Sequence, residues 1–136
     1  MSIRFLLAAF AIGASACAHG EGPTDAEADA FLSKWLGEHG YAPPTFEVSA
    51  AGMPDGAHAA TFCNANATRC VIRVRPEALR SPVADRRAHR SHSRQWQNLL
   101  AHEGAHYIDI LRRGTSDHGP KFGQLARELG VAYPKR

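Results

Sequence analysis

The sequence predicts an α+β fold in which a small antiparallel sheet of about three strands packs against three helices. Apolar residues recur at helical spacing near the start of the chain and again through its last third. Between these regions lie short runs of alternating apolar and polar residues, bounded by proline and glycine, which are typical of strands. We therefore expect one domain containing an N-terminal helix, the sheet, a helix with a His-Glu-x-x-His motif and a C-terminal helix.

The first 17 residues have the features of a secretory signal peptide. Arg4 precedes an apolar run over residues 5–12, which is too short to cross a bilayer as a mature helix. Residues 14–16 are small, as at a cleavage site. Cys17 follows directly, so the alternatives are a lipoprotein signal, with membrane attachment through a lipidated Cys17, and an uncleaved anchor. We expect export to the periplasm or cell envelope and a mature domain over residues 18–136.

The N-terminal helix is predicted to begin after Thr24 and to end before Gly40. Thr24-Asp25-Ala26-Glu27 matches a capping box, in which the first and fourth residues bond reciprocally at the helix start. The helical stripe behind it is interpreted as core and consists of Ala28, Phe31, Leu32, Trp35 and Leu36.

Three segments have the pattern of strands, at residues 45–49, 58–63 and 70–75. Cys63 ends the second segment and Cys70 begins the third. In an oxidising compartment these two cysteines should form a disulfide that closes a hairpin. Their participation in a metal site is the alternative, but a set of histidines already accounts for such a site.

A polar and basic segment covers residues 81–93. Four interpretations remain open: a solvated loop, a rim that binds substrate, a patch for an anionic surface, and a histidine that donates to the transition state. The net charge of +3 is mild and the segment has no interleaved aromatic residues, so we expect no nucleic-acid partner.

A long amphipathic helix is predicted between Ser93, a candidate N-cap, and Gly114. Its middle carries His102 and His106, which lie on one helix face a turn apart, so that both rings can converge on one metal ion. Glu103, next to the first histidine, can act as general base toward a metal-activated water. If the histidines instead only filled a core face, Glu103 would be a buried carboxylate without a partner, which is costly.

His118 is the predicted third ligand, because it immediately precedes the C-terminal helix and folding that helix back would carry it to the other two histidines. Asp109 and Asp117 are the alternative third ligands. Asp109 lies one turn beyond the histidines on nearly the same face and is interpreted as an acceptor that orients a ligand imidazole. Asp117 is expected to cap the next helix or to face solvent. Three histidines that leave a fourth position open fit a catalytic zinc site better than a structural one.

Two segments of the chain resemble the SprT-like zinc metallopeptidases: His102-Glu103-x-x-His106 and His118-Gly119-Pro120-x-Phe122. The resemblance implies a zincin-like fold for residues 18–136, in which the three histidines bind one zinc ion. It further implies hydrolysis of protein or peptide substrates, with Glu103 as the general base. Many members of that family are cytosolic or nuclear and some act on proteins crosslinked to DNA. The exported start of this chain departs from that pattern.

Two functions from different classes follow from these observations. The first is an exported, monomeric zinc metallopeptidase, and the alternative is a non-catalytic envelope protein whose binding module is stabilised by zinc. The lack of a side chain at Gly104 would either let the motif helix approach the sheet or leave room for substrate. Candidate donors to the oxyanion of the reaction are Tyr107, Tyr133, His89 and His92.

Overall fold

The computed structural model describes residues 22–80 and 95–132 of the chain. Within these ranges the elements are α1 (Asp25–Glu38), β1 (Thr45–Val48), β2 (Ala59–Cys63), β3 (Cys70–Val74), α2 (Pro76–Arg80), α3 (Gln95–Arg113) and α4 (Pro120–Glu128). The α+β class and the small sheet of three strands are confirmed. The predicted signal segment 1–17 with Cys17, the basic segment 81–93 and the cap at Ser93 lie outside the described residues. None of the described helices combines the length and the apolar character that a membrane span requires.

The sheet is mixed, so the prediction of an antiparallel sheet is wrong for its first strand. The strand order is β1-β3-β2, with β1 parallel and β2 antiparallel to the central β3. The physical reason is the route of the connection between β1 and β2, which crosses the end of β3 instead of making a hairpin. Two arginines near that end hold the connection, because Arg73 donates to the carbonyl of Ala51 at 2.6 Å and Arg75 donates to the carbonyl of Ala57 at 2.7 Å.

The predicted disulfide joins Cys63 and Cys70. The two cysteines are directly paired across β2 and β3, at the closed end of the hairpin. The disulfide therefore fixes the register of β2, the strand at the edge of the sheet, against β3.

The main core lies between the inner face of the sheet and the helices α1 and α3. Alternate residues of β3 are buried, including Ile72 and Val74, as expected for a strand with one face toward the core. Three residues of the predicted α1 stripe are buried, while Phe31 and Trp35 are partly buried and pack against the core. Thr24 caps this helix by accepting from the backbone N–H of Glu27 at 3.1 Å. The fully buried residues contributed by the two helices are Leu32, Leu36, Leu100 and Ile108.

Gly104 marks the closest approach of α3 to α1. A β-carbon at this position would lie 2.7 Å from Cζ3 of Trp35 and 3.5 Å from Cδ1 of Leu32. Real β-carbons do not approach other atoms within 3.0 Å, so the glycine is what lets the indole of α1 lie against the motif helix. The neighbour that requires a glycine here is therefore α1, whereas the sequence suggested the sheet or a substrate.

Candidate metal centre

The middle of α3 places the first two histidines side by side. His102 and His106 are separated by one helical turn, and their rings are edge to face with centroids 4.7 Å apart. The Nε2 atoms of the two rings are 3.1 Å apart. Both side chains are half-buried, so the helix presents two ring nitrogens at one point of its surface.

A short linker after α3 brings the third histidine to this point. Gly114 takes the left-handed conformation (φ +76°) and its N–H bonds to the carbonyl of Ile110, which ends the helix. Asp117 is exposed, and its carboxylate accepts from the backbone N–H of Gly119 at 2.8 Å. It does not cap α4, whose N-cap is Gly119 and has no side-chain hydrogen bond, so the expectation that Asp117 faces solvent is the one met. Between these two turns, His118 points its Nε2 to within 3.2 Å of Nε2 of His102 and 3.0 Å of Nε2 of His106.

The three Nε2 atoms thus form a nearly equilateral triangle with sides of 3.0–3.2 Å. Hydrogen bonds alone cannot satisfy this arrangement. If one nitrogen carries a proton and donates it toward the other two, the lone pairs of those two nitrogens still face each other. A cation bound by all three lone pairs removes that repulsion. In a tetrahedral zinc site with Zn–N distances of about 2.0–2.1 Å, ligand nitrogens lie about 3.3–3.4 Å apart. The three histidines could therefore bind a metal ion with little rearrangement.

Phe122 forms a wall of the site from the first turn of α4. Its ring is fully buried and stacks on the ring of His106, with centroids 4.0 Å apart and an interplanar angle of 6°. It also meets the ring of His102 edge to face at 5.2 Å. This contact connects the packing of α4 to the orientation of two of the three rings.

Behind His106 lies a polar chain that the sequence predicted only in part. Asp109 is buried, and its carboxylate accepts hydrogen bonds from Arg113 and from the hydroxyl of Ser116. Nδ1 of His106 is 2.7 Å from Oγ of the same serine. Asp109 therefore reaches the histidine through Ser116, a residue that sequence reasoning missed because a serine in a linker has no distinguishing pattern.

Glu103 follows His102 in α3 and is buried, but it is not one of the three residues that could hold a metal ion. Its side chain is 6% exposed, and Oε2 accepts a hydrogen bond of 2.9 Å from the hydroxyl of Thr61 on β2. Burial raises the pKa of Glu103 to about 7, and the Thr61 hydrogen bond counteracts part of that rise. Thr61 was also missed from the sequence, since the pairing of β2 with α3 joins residues far apart in the chain.

Burial also makes two of the histidines weak bases. It lowers the pKa of His102 to about 4, with a smaller contribution from the charge of His118. It lowers the pKa of His106 to about 3, where His102 and His118 add to the effect and the carboxylates of Asp109 and Asp117 oppose it. Both rings are therefore neutral at pH 7, the state in which an imidazole can donate a lone pair to a metal ion.

The predicted oxyanion donors find no support in the described residues. The hydroxyl of Tyr107 donates to the carbonyl of Ala42 at 3.0 Å, so this residue, which is largely buried, supports the core. His89, His92 and Tyr133 lie outside the described residues. Thr61 and Ser116 are the two hydroxyls that the fold brings to the buried acid and to the histidines.

Comparison of the chain with protein-family models, with curated proteins and with solved structures gives no match in any of the three. The resemblance to the SprT-like metallopeptidases therefore depends on the two motif segments alone. Independently of that resemblance, the chain contains a group of three histidines that could bind a metal ion, and the residue that follows the first of them, Glu103, is buried.

Proposed function

We propose that the protein is a zinc-dependent metallopeptidase. The observation that carries this proposal is the triangle of Nε2 atoms from His102, His106 and His118. The residue after His102 on the same helix is Glu103, a buried carboxylate that is not part of the triangle. A structural zinc site is closed by four protein ligands, whereas three ligands leave one position for water or substrate. A site that only stabilised the fold would have no use for a carboxylate kept off the metal.

Each residue has a definite role in the proposed reaction. The three histidines hold the ion as neutral imidazoles. A bound zinc ion supplies a Lewis acid that polarises a peptide carbonyl and lowers the pKa of water to about 7. Glu103, which is buried and follows His102 on α3, takes the proton from the attacking water and passes it to the leaving amine. Thr61 holds Oε2 of this carboxylate, which leaves Oε1 for the proton.

The edge strand β2 is the proposed binding surface for an extended peptide. Among the described residues it pairs with β3 alone, so the backbone groups of its other edge are not used by the sheet. An extended peptide can add to such an edge by main-chain hydrogen bonds. The same strand carries Thr61, which bonds to Glu103, so a peptide bound along β2 would lie close to the general base. Unfolded protein segments are therefore the proposed substrate class.

The proposed compartment is the cell envelope. A disulfide between Cys63 and Cys70 supports an oxidising environment, because such bonds do not persist in a reducing cytosol. Cleavage after the signal segment, or lipidation of Cys17, completes this part of the proposal.

Cleavage of unfolded casein, with and without a chelator, tests the proposed function. We expect cleavage that the chelator abolishes and added zinc restores. Glu103→Gln should retain one zinc ion per chain, because residue 103 is not a ligand, while its rate of cleavage falls by about 10²–10⁴-fold. The matched control is Glu128→Gln, an exposed carboxylate at the end of α4, which should cleave as the wild type does.

Two outcomes would contradict the proposal. A wild-type protein that binds zinc but cleaves neither casein nor itself would favour the zinc-stabilised binding module. A Glu103→Gln protein that retains full activity would remove Glu103 from the reaction.

A further inference from the structure

Ser116, in the linker between α3 and α4, lies between the histidine triangle and a buried acid. Its Oγ is 2.7 Å from Nδ1 of His106 and 2.8 Å from Oδ2 of Asp109. We propose that Asp109 and Ser116 act in series as positioning residues, which hold His106 and His118 in the arrangement that binds the metal ion. This inference rests on the proposed metal centre, but it does not depend on peptidase activity.

The direction of the hydrogen bonds follows from the partners of Asp109. Arg113 donates to both oxygens of this carboxylate at 2.6 Å, so the pair is ionic and the carboxylate only accepts. Ser116 must then donate its single proton to Asp109. Its Oγ can meet Nδ1 of His106 only as an acceptor, so Nδ1 carries the hydrogen. In a neutral imidazole the lone pair is then on Nε2, the atom that lies in the triangle.

The same hydroxyl also anchors the linker that carries the third histidine. Ser116 is two residues before His118, between the turn at Gly114 and the hydrogen bond from Gly119 to Asp117. Attachment of Ser116 to α3 therefore limits where His118 can lie. One side chain thus orients the ring of His106 and restrains the position of His118.

Asp109 is suited to be a fixed acceptor in this chain. It is 2% exposed, and a carboxylate buried this deeply is costly unless a cation compensates it. Arg113 supplies that cation one turn later on α3, in a bidentate contact that fixes the plane of the carboxylate. The acceptor for Ser116 is therefore held rigidly in the last turn of the helix.

Measuring zinc affinity and metal-free stability separately distinguishes a positioning role of Ser116 from a merely structural one. Ser116→Ala should weaken zinc binding by about 10–100-fold, measured by competition with a chromophoric chelator. Its metal-free form should stay folded and melt only modestly below the wild type, because Arg113 still donates to both oxygens of Asp109 after the hydroxyl is lost. Ser116→Thr keeps the hydroxyl and should keep the affinity. The control is Thr115→Ala, which removes an exposed hydroxyl from the same linker and should leave the affinity unchanged.

A double substitution tests whether the two residues act in series. If Asp109 acts on the metal through Ser116, then Asp109→Asn added to Ser116→Ala should cause no further loss of affinity. The visible spectrum of the cobalt-loaded proteins, recorded while circular dichroism shows them to be folded, reports the geometry of the ligands in each variant. Losses of affinity that add would overturn the series arrangement.

The outcomes also distinguish this inference from the proposed function. Unchanged affinity in Ser116→Ala, with a wild type that cleaves casein, overturns the positioning role alone. A wild type that binds zinc but cleaves nothing overturns the peptidase, and the affinities still decide the role of Ser116. A wild type that binds no metal ion overturns both.

Discussion

The middle turn and the last turn of α3 each contain a buried carboxylate, and the two carboxylates have different surroundings. Glu103 is 6% exposed and accepts its side-chain hydrogen bond from the neutral hydroxyl of Thr61. Asp109 is 2% exposed and accepts from the guanidinium of Arg113 as well as from Ser116. Solvent reaches neither side chain to any great extent, but Glu103 lies deeper in the protein than Asp109, so both the depth and the partners distinguish the two groups.

The partners decide the charge of each group near neutral pH. Burial raises the pKa of Glu103 to about 7, and one hydroxyl is too weak a partner to reverse that rise. Burial acts on Asp109 in the same direction, but the hydrogen bonds from Arg113 and Ser116 together with the guanidinium charge hold its pKa below the usual value. The middle turn therefore contains a group that can exchange a proton, while the last turn contains a permanent anion.

The largest expected effect on stability comes from breaking the ionic pair of the last turn. Asp109→Asn should lower the free energy of unfolding of the metal-free protein by about 2–3 kcal/mol, because it removes charge-assisted hydrogen bonds and leaves Arg113 without its counter-charge. The loss is smaller than for a fully buried pair, since the Arg113 side chain is 27% exposed and can turn toward water. Urea unfolding in the presence of a chelator measures it.

Urea unfolding of Glu103→Gln, again in the presence of a chelator, measures how much the carboxylate of the middle turn contributes to stability. The amide can still accept from Thr61, and the substitution removes a charge that has no cation beside it in the described residues of the metal-free protein. Its free energy of unfolding should stay within about 1 kcal/mol of the wild type or rise. A loss as large as that of Asp109→Asn would mean that the two carboxylates are held alike.

In the middle turn of α3, we expect packing against Trp35, rather than charge, to be the reason for a glycine at position 104. Gly104→Ala gains about 1 kcal/mol of helix propensity. It also forces a methyl group against the indole of Trp35, and overpacking of this kind costs about 1–3 kcal/mol. We expect a net loss of about 0–2 kcal/mol in the free energy of unfolding, measured with urea.

Gly37→Ala is the matched control for this substitution. It also places a methyl group on a helical glycine, but no atom of the described residues lies within 4 Å of the added β-carbon. Its stability should be unchanged or higher. Equal effects of the two substitutions would exclude the contact with Trp35 as the reason for the glycine at position 104.

The smallest expected effect is a dependence on pH in the acid range. The folded-state pKa of Asp109 lies below its ordinary value of 3.8, so its contribution to stability is complete above that value and is lost as the pH falls through the folded pKa. The difference in the free energy of unfolding between wild type and Asp109→Asn should therefore be constant near pH 5 and shrink below about 3.8. Comparing the two proteins cancels the protonation of groups that Asp109 does not affect; His106, whose pKa of about 3 depends partly on Asp109, adds to the difference only near that pH.

Asp55→Asn is the control for the acid range, because Asp55 is an exposed turn residue. Its difference from the wild type should be small at every pH. A difference for Asp109→Asn that grows as the pH falls would contradict the assignment of Asp109 as the stabilised anion.

Local sequence patterns anticipated the helices better than they anticipated the sheet. The cap at Thr24 and the stripe of α1 depend on residues within four positions of each other, and both are present. The direction of β1 depends on where the connection after it is routed. The side chains that hold this connection come from later in the chain, Arg73 on β3 and Arg75 just after it. The expectation of an antiparallel sheet therefore failed at β1.

The candidate site divides in the same way. The sequence by itself determined that His102 and His106 share one helix face and that His118 precedes the next helix, because helical spacing and a proline-led helix start are local properties. Only the tertiary structure decided that Thr61 holds Glu103, that Ser116 connects Asp109 to His106 and that Trp35 requires a glycine at position 104. These contacts arise where separate elements meet. The periodicity of the sequence within one element does not predict which side chains of two elements will face each other once those elements have packed.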